Sequence, residues 1–376
     1  MSEFTAGPAG RIERVRTLMV ERGYDAIVVR DEANLRWLTG VKGVFDYTFE
    51  FPHAAFITAD KCLFHTDSRY LNSFEENTPA DSPWVYDMDE GTIPGWVAGK
   101  IAANKCRVCA VEDDMQINFY QGIQRGLEDR SVACMLPLMH DDIRKMRAIK
   151  DDEEIELMRH AQSITDAAFQ HMLGFIKPGM TEKQVRNELE NYMFANGADS
   201  LAFGSIVASG PNTANPHAVP SDRVIEKGDF VLMDYGAGYC DYRSDMTRTV
   251  VMGEPTQEQL DLYALVRRTH EECVAAIHPG VEGNDIFKLS KKIIGDAGYG
   301  DYYNHGLGHG VGIDIHELPN FNRSKNIIEV GSVITMEPGV YLPGVGGVRL
   351  EDYGVVTENG YEPFTKTPHD LHVIDC

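Results

Sequence analysis

Four carboxylates and one histidine in the C-terminal half of this chain could together hold metal ions. Asp234 stands in VLMDYGA, Asp245 in RSDMTRT, His309 in GLGHGVG, Glu337 in TMEPGVY and Glu351 in VRLEDYG. Carboxylates that share one site raise one another's pKa, and bound cations reverse that tendency. The set therefore says more than any member. An isolated Asp or Glu is most often a solvated surface group, whereas these follow apolar runs and are flanked by small residues. Oxygen-rich ligation with a single imidazole suits hard or borderline divalent ions, Mn2+ first, then Co2+, Zn2+ or Fe2+. It is unlike a structural zinc site, which Cys and His close. Two such ions about 3.5–4 Å apart can activate a water and polarise a carbonyl, as in two-metal hydrolases.

The other candidates are weighed singly. His309 sits in a glycine-rich stretch that lets its ring approach a metal, and imidazole is a common ligand. His305, in the same stretch, reads as structural. His217 in NPHAVPSD and His316 in IHELP have no second ligand at helical spacing. Each is either a packed side chain or, in a hydrolytic site, a donor to a tetrahedral oxyanion or a substrate carboxylate. Arg349 is two residues from Glu351, so in an extended segment it shares that face and orients the carboxylate.

These side chains need elements to position them. Asp234 and Asp245 lie on two strand-like runs joined by AGYCDYR, which predicts a hairpin with the two residues opposite each other on one face. Glu337 and Glu351 flank PGVYLPGVGG, whose loop needs an odd count or a bulge. The C-terminal half also repeats itself: GDFVLMDYG at 228–236 matches GSVITMEPG at 331–339, and Pro178-Gly179 is echoed by Pro279-Gly280. Two similar halves related by a pseudo-two-fold would bring a carboxylate pair from each to a shared centre. Upstream, Ile155, Met158, Ile164 and Ala168 predict a long amphipathic helix, and Thr181 with Gln184 a capping box for the next. The N-terminal part alternates helix and strand signals: a helix carrying Ile12, Val15, Leu18 and Met19 that stops at Gly23, a strand at 25–30, a hairpin of 54–58 with 62–66, and a helix-plus-strand unit near 92–112. The charged stretch 140–152 reads as a junction between domains at 1–145 and 150–376.

Bulk properties narrow the class. A chain of 376 residues is long for one core, so two domains are expected. Its formal charge of −23 argues against a nucleic-acid surface and against anionic membranes. No apolar run has signal-peptide length or approaches about 18 residues, and seven cysteines in a chain this long read as reduced thiols. A cytoplasmic protein is expected. Cys106 and Cys109 form a C-x-x-C without a second pair, so packing is their expected role.

The residues resemble those of the pita-bread metallopeptidases, specifically the Xaa-Pro dipeptidase (prolidase) and Xaa-Pro aminopeptidase branch. The matching segments are IVASGPNTANPHAVPSDR, GDFVLMDYGAGYCDYRSDMTRT, HGLGHGVGIDIHELP and TMEPGVYLPGVGGVRLEDYGVVTENG, with DEANLRWLTG and HTDSRY in the N-terminal part. The resemblance implies an α+β architecture: a duplicated helix-and-hairpin pita-bread catalytic domain after a smaller α/β creatinase/prolidase-like domain. It implies that Asp245 and Glu351 bridge two metal ions, that Asp234 binds one, and that His309 and Glu337 bind the other. Glu337 would also shuttle a proton, His217 and His316 would hold the scissile carbonyl or tetrahedral intermediate, and Arg349 would support the site. The implied reaction is hydrolysis of the bond preceding proline by a metal-bridged hydroxide, in dipeptides or at the N-terminus of short peptides, by a homodimer. One departure is AFGS at 202–205, where many relatives carry an acidic or aromatic residue; it bears on the pocket, not the metals. Alternatives are a small-molecule amidohydrolase of the same architecture, or a binding module on a dead peptidase fold. Creatinase-like members and such modules lose ligands, whereas all five are present here. Methionine aminopeptidase fits less well, because the N-terminal domain and NPHAVPSD suit the proline branch.

Overall fold

The computed structural model describes residues 7–42, 51–80, 82–88, 91–322 and 325–376. The chain divides into two compact units, Met1–Arg147 and Ala148–Cys376.

In the first unit, helix Gly7–Arg22 buries Ile12, Val15, Leu18 and Met19 as their spacing predicts. Gly23 follows with φ of 70°, a conformation that strains other residues and so ends the helix. Strand Ala26–Val29 is buried along its whole length because it is central. It pairs antiparallel with Ala54–Thr58 and parallel with Cys109–Val111. The expected hairpin forms between Ala54–Thr58 and Cys62–His65. Helices Ile93–Ala103 and Ile117–Asp129 supply Trp96, Val97, Ile101, Phe119 and Ile123 to a core that also takes in Cys106 and Cys109. Burial pushes the Cys106 thiol up to about 11, so it packs as an inert side chain. The charged stretch read as a bare junction contains a helix, Asp142–Arg147. Its two arginines are anchored, Arg147 Nη1 donating to Asn34 Oδ1 at 2.8 Å and Arg144 Nη2 to Asp31 Oδ2 at 3.1 Å.

The second unit is duplicated. Helices Asp152–Phe175 and Glu182–Ala195 precede strand Phe230–Tyr235, as Gln257–Ala275 and Gly283–Asp296 precede strand Val333–Met336. The echoed glycines do the same work in each half. Gly179, with φ of 93°, donates its N–H to Ile225 O at 2.9 Å, and Gly280, with φ of 89°, donates to Ile328 O at 2.7 Å. The Thr181–Gln184 capping box is present, and Val185, Leu189 and Met193 are buried. A four-stranded sheet runs Val373–Ile374, Met246–Met252, Phe230–Tyr235, Ile206–Ser209; a five-stranded sheet runs Glu317–Phe321, Gly308–Gly310, Val333–Met336, Asp352–Thr357, Gly360–Pro363. Glu351 N donates to Thr247 O at 3.1 Å and Thr249 Oγ1 to Arg349 O at 3.0 Å, so the two halves are stitched together beside the candidate residues. Among the described residues no helix is long and apolar enough to cross a membrane.

Candidate metal centre

Asp234 lies near the end of strand Phe230–Tyr235, a central strand whose apolar run FVLM is wholly buried. The expectation that Asp234 and Asp245 sit directly opposite is not met. Asp234 pairs with Thr247, and Asp245 stands just before strand Met246–Met252. The reason is the connection. Instead of a plain loop, AGYCDYR folds into a small hairpin of its own, pairing Tyr242 with Tyr239 and Arg243 with Gly238, with Cys240 and Asp241 at positive φ. Asp245 and Thr247 still share a face, so the carboxylate reaches the same centre.

The second pair behaves as its spacing requires. The register that joins Met336 to Asp352 is the register that joins Gly339 to Arg349, so Glu337 faces Glu351 between them. The odd loop is the turn 343–345, between strands Gly339–Leu342 and Gly346–Arg349. His309 is carried by strand Gly308–Gly310, squeezed between Glu317–Phe321 and Val333–Met336. A Cβ on Gly308 would collide with Thr335 O, and one on Gly310 with Leu318 O; only glycine permits so close an approach.

The imidazole is oriented for ligation. His309 Nδ1 lies 3.0 Å from Gly310 O, which fixes the proton on Nδ1 and leaves the Nε2 lone pair facing Asp245 Oδ2 at 3.6 Å and Glu337 Oε1 at 3.7 Å. Two ligand atoms on one ion with bonds near 2.1 Å stand roughly 3–3.5 Å apart, so these separations fit a shared ion. One donor atom each from Asp245, His309 and Glu351 lies within 4.8 Å of the others. Asp234 Oδ2 accepts from Arg349 Nη2 at 2.5 Å, while Asp234 Oδ1 is buried with no hydrogen-bond partner among the described residues. A buried anionic oxygen without a donor needs a cation. Glu351 Oε2 accepts from Thr247 Oγ1 at 2.7 Å, which leaves its other oxygen free for the centre.

Electrostatics point the same way. Burial, then Glu351 and Asp234, drives Asp245 well above the ordinary carboxylate range; burial, then Glu337 and Asp234, does the same to Glu351. Glu337 is pushed up to about 8 by burial, with Arg349 opposing and Asp234 adding. Burial and His316 pull His309 down to about 4, which keeps it in its neutral, ligating form. Four carboxylates and one guanidinium cannot all stay ionised here without added positive charge, and divalent cations supply it.

All eight candidate residues line one cavity of about 650 Å³. His217 and His316 stand on its wall, His316 with its ring centroid 4.4 Å from that of His309. Phe203, Gly204 and Ser205 of the AFGS segment line it as well. Three further residues stand at the site. His305, read as structural, lines the cavity, and its Nε2 lies 2.8 Å from Tyr341 OH. Tyr341 OH also accepts from Arg349 Nη1 at 2.9 Å, and Thr247 Oγ1 accepts from Arg349 Nε at 3.0 Å. Nothing local in the sequence marks Tyr341, which lies inside a segment read as a loop, or Thr247.

Residues 156–358 match metallopeptidase family M24, and residues 11–149 match the creatinase/prolidase N-terminal domain. The chain belongs to metallopeptidase family M24. Membership in this family implies divalent metal ions, and the residues described above are of the types that hold them. This M24 metallopeptidase is 37% identical to the uncharacterized peptidase YqhT of Bacillus subtilis (strain 168), over 97% of this chain and 100% of that one. Its fold matches the solved structure of an Xaa-Pro dipeptidase from Bacillus anthracis with a TM-score of 0.89 and 36% identity, covering 98% of this chain and 100% of that one. It also matches an X-Pro aminopeptidase from Thermotoga maritima MSB8, with a TM-score of 0.85 and 31% identity over 97% and 100% of the two chains. The pita-bread architecture with a creatinase-like first domain, expected from the sequence, is thus the fold of this enzyme.

Proposed function

We propose that this metallopeptidase hydrolyses the peptide bond preceding proline, in Xaa-Pro dipeptides or at the N-terminus of short peptides, with two divalent ions held by Asp234, Asp245, His309, Glu337 and Glu351. The observation that carries the reading is the convergence of those five on one cavity, with the buried oxygen of Asp234 unpaired and His309 Nε2 turned inward. Mn2+ is the first choice because the set is oxygen-rich. When bound, the ions supply Lewis acidity and lower the pKa of water.

The chain's own groups do the rest. Glu337, which faces Glu351 across the centre, is suited to take a proton at Oε and pass it to the leaving nitrogen. In the bound substrate that nitrogen is the tertiary amide nitrogen of proline, which has no N–H, so a site that grips only the N-terminal amine and the carbonyl loses nothing at this bond. His217 and His316, on the cavity wall, are the candidate donors of ring N–H groups to the carbonyl oxygen as its carbon becomes tetrahedral. Asp234 is the candidate acceptor for the substrate's amine, and Arg349 fixes its carboxylate plane. A homodimer is part of the reading, and sedimentation of the purified chain tests it.

Turnover of Ala-Pro and Gly-Pro beside Ala-Ala tests proline selectivity: equal rates on all three would remove it. Product analysis of Ala-Pro against Ala-Pro-Ala-Ala separates dipeptidase from aminopeptidase. Chelation by EDTA should abolish activity and Mn2+ should restore it; activity that survives complete metal removal would overturn the metal-dependent reading.

A further inference from the structure

A second group of metal-ligating side chains lies in the C-terminal unit, apart from the five. His270, on helix Gln257–Ala275, is 1% exposed, yet neither ring nitrogen has a hydrogen-bond partner among the described residues. A buried imidazole with both nitrogens unpaired is rare and calls for an explanation. Its Nε2 points at Asp352 Oδ2, 3.6 Å away. Asp352 opens strand Asp352–Thr357 and is 3% exposed. Its Oδ1 accepts from Arg248 Nη2 at 2.7 Å, which leaves Oδ2 to the histidine side. His369 comes from the segment between strands Gly360–Pro363 and Val373–Ile374 and places Nε2 2.5 Å from that same Oδ2. The two rings lie 4.8 Å apart at 75°, and one donor atom from each of the three residues falls within 4.8 Å of the others.

We propose that His270, Asp352 and His369 form a binding site for one divalent transition-metal ion of the zinc type. Two imidazoles and one carboxylate are the ligand set of a zinc ion that keeps a water in its fourth position. The chemistry differs from that of the oxygen-rich centre: imidazole favours zinc, cobalt or nickel, whereas four carboxylates favour harder ions, so the two places select different metals. Glu271 Oε1, which accepts from Arg267 Nε, stands 3.7 Å from His369 Nδ1 on the other side of that ring, where a short approach would let it accept from Nδ1 as well. Seating the ion requires His369 to part from Asp352 to roughly 3.3 Å, the ligand-to-ligand edge of a zinc tetrahedron. His369 is partly exposed on a segment without regular structure, so that movement is open to it. The consequence reaches the five-residue centre through Arg248, whose Nη1 donates to Glu351 O at 2.6 Å and to Thr247 O at 3.0 Å.

The test uses the full chain, stripped with a chelator, titrated with Zn2+ by calorimetry and assayed for retained metal after desalting. In an Asp245→Asn/His309→Gln background the protein should keep about one zinc equivalent, and adding His369→Gln should weaken that binding by about a hundredfold or more. Loss of metal only on changing Asp245 and His309 would overturn this site and leave the dinuclear reading standing. Zinc retained regardless of His369→Gln and His270→Gln would overturn it too, leaving Asp352 and His369 as a simple hydrogen-bonded pair. Should His270→Gln fail to fold, Co2+ in the same background decides. A four-coordinate visible absorption lost with His369→Gln supports the site, and no such absorption overturns it.

Discussion

Arg349 is 2% exposed and yet fully occupied: it bonds Asp234, Tyr341 and Thr247 through three different nitrogens. A lysine could keep the ion pair but not the fork. Arg349→Lys should therefore lower kcat about a hundredfold, near 3 kcal/mol, by freeing Asp234 and the Tyr341 hydroxyl. Steady-state kinetics with metal analysis on the same sample check this; unchanged kcat would reduce Arg349 to packing. At this scale the sequence is generous. Four of the five positions stand out because each interrupts an apolar or glycine-rich run, Asp245 in RSDMTRT stands out only beside them, and the structure brings all five to one cavity. Tyr341, Thr247 and His305 do not stand out, because their importance lies in what they face across a strand, which no local pattern encodes.

Element by element, one buried side chain from another element bonds both flanks of the loop that carries His217. Glu182, 0% exposed at the start of helix Glu182–Ala195, accepts from Ser209 N at 2.7 Å, Asn212 Nδ2 at 3.0 Å, Ser221 N at 2.9 Å and Ser221 Oγ at 2.6 Å. The helix N-terminus further favours its negative charge. Glu182→Ala should cost about 2–4 kcal/mol of stability, because it strands several buried donors at once. It should also raise KM through the loosened His217 loop while leaving metal content unchanged. Denaturant midpoints and kinetics measure both, and an unaltered KM would separate the loop from substrate binding. Element existence was legible from periodicity and caps, as in the Thr181–Gln184 box. The Asp234–Thr247 register was not, since a connection long enough to form its own hairpin hides the true pairing. Helix Asp142–Arg147 was hidden as well, because its two arginines are anchored by distant residues rather than by a helical stripe.

For the molecule as a whole, each unit has a core of its own, and one buried carboxylate gives the first unit a pH dependence. Glu112 Oε2 accepts from Arg30 N at 2.6 Å and Asp31 N at 2.8 Å, and Oε1 from Asn34 Nδ2 at 2.8 Å. Burial nevertheless pushes its carboxyl up to about 7, with the Asn34 hydrogen bond opposing. A folded-state pKa above the unfolded one means the stabilisation is fully present below about pH 4.5 and is lost as pH rises through about 7, worth about 3 kcal/mol at most. Thermal unfolding of the first unit should thus shift downward from pH 5.5 to pH 8, and Glu112→Gln should flatten the difference. A wild-type midpoint that rises over that interval would contradict it. The charge of −23 was plain in the sequence; which carboxylates are buried was not, because burial is a property of the assembled sheets.

The tight passage of the strand bearing His309 has a consequence for ion exchange. Backbone oxygens crowd both flanking glycines, so the imidazole cannot slide along or away from its sheet. An ion of larger radius would find that side of the centre rigid, and the adjustment would fall to the longer, freely jointed arm of Glu337. Affinity across a series of divalent ions should then track how far that arm can bend, with the histidine acting as the fixed jaw of the clamp.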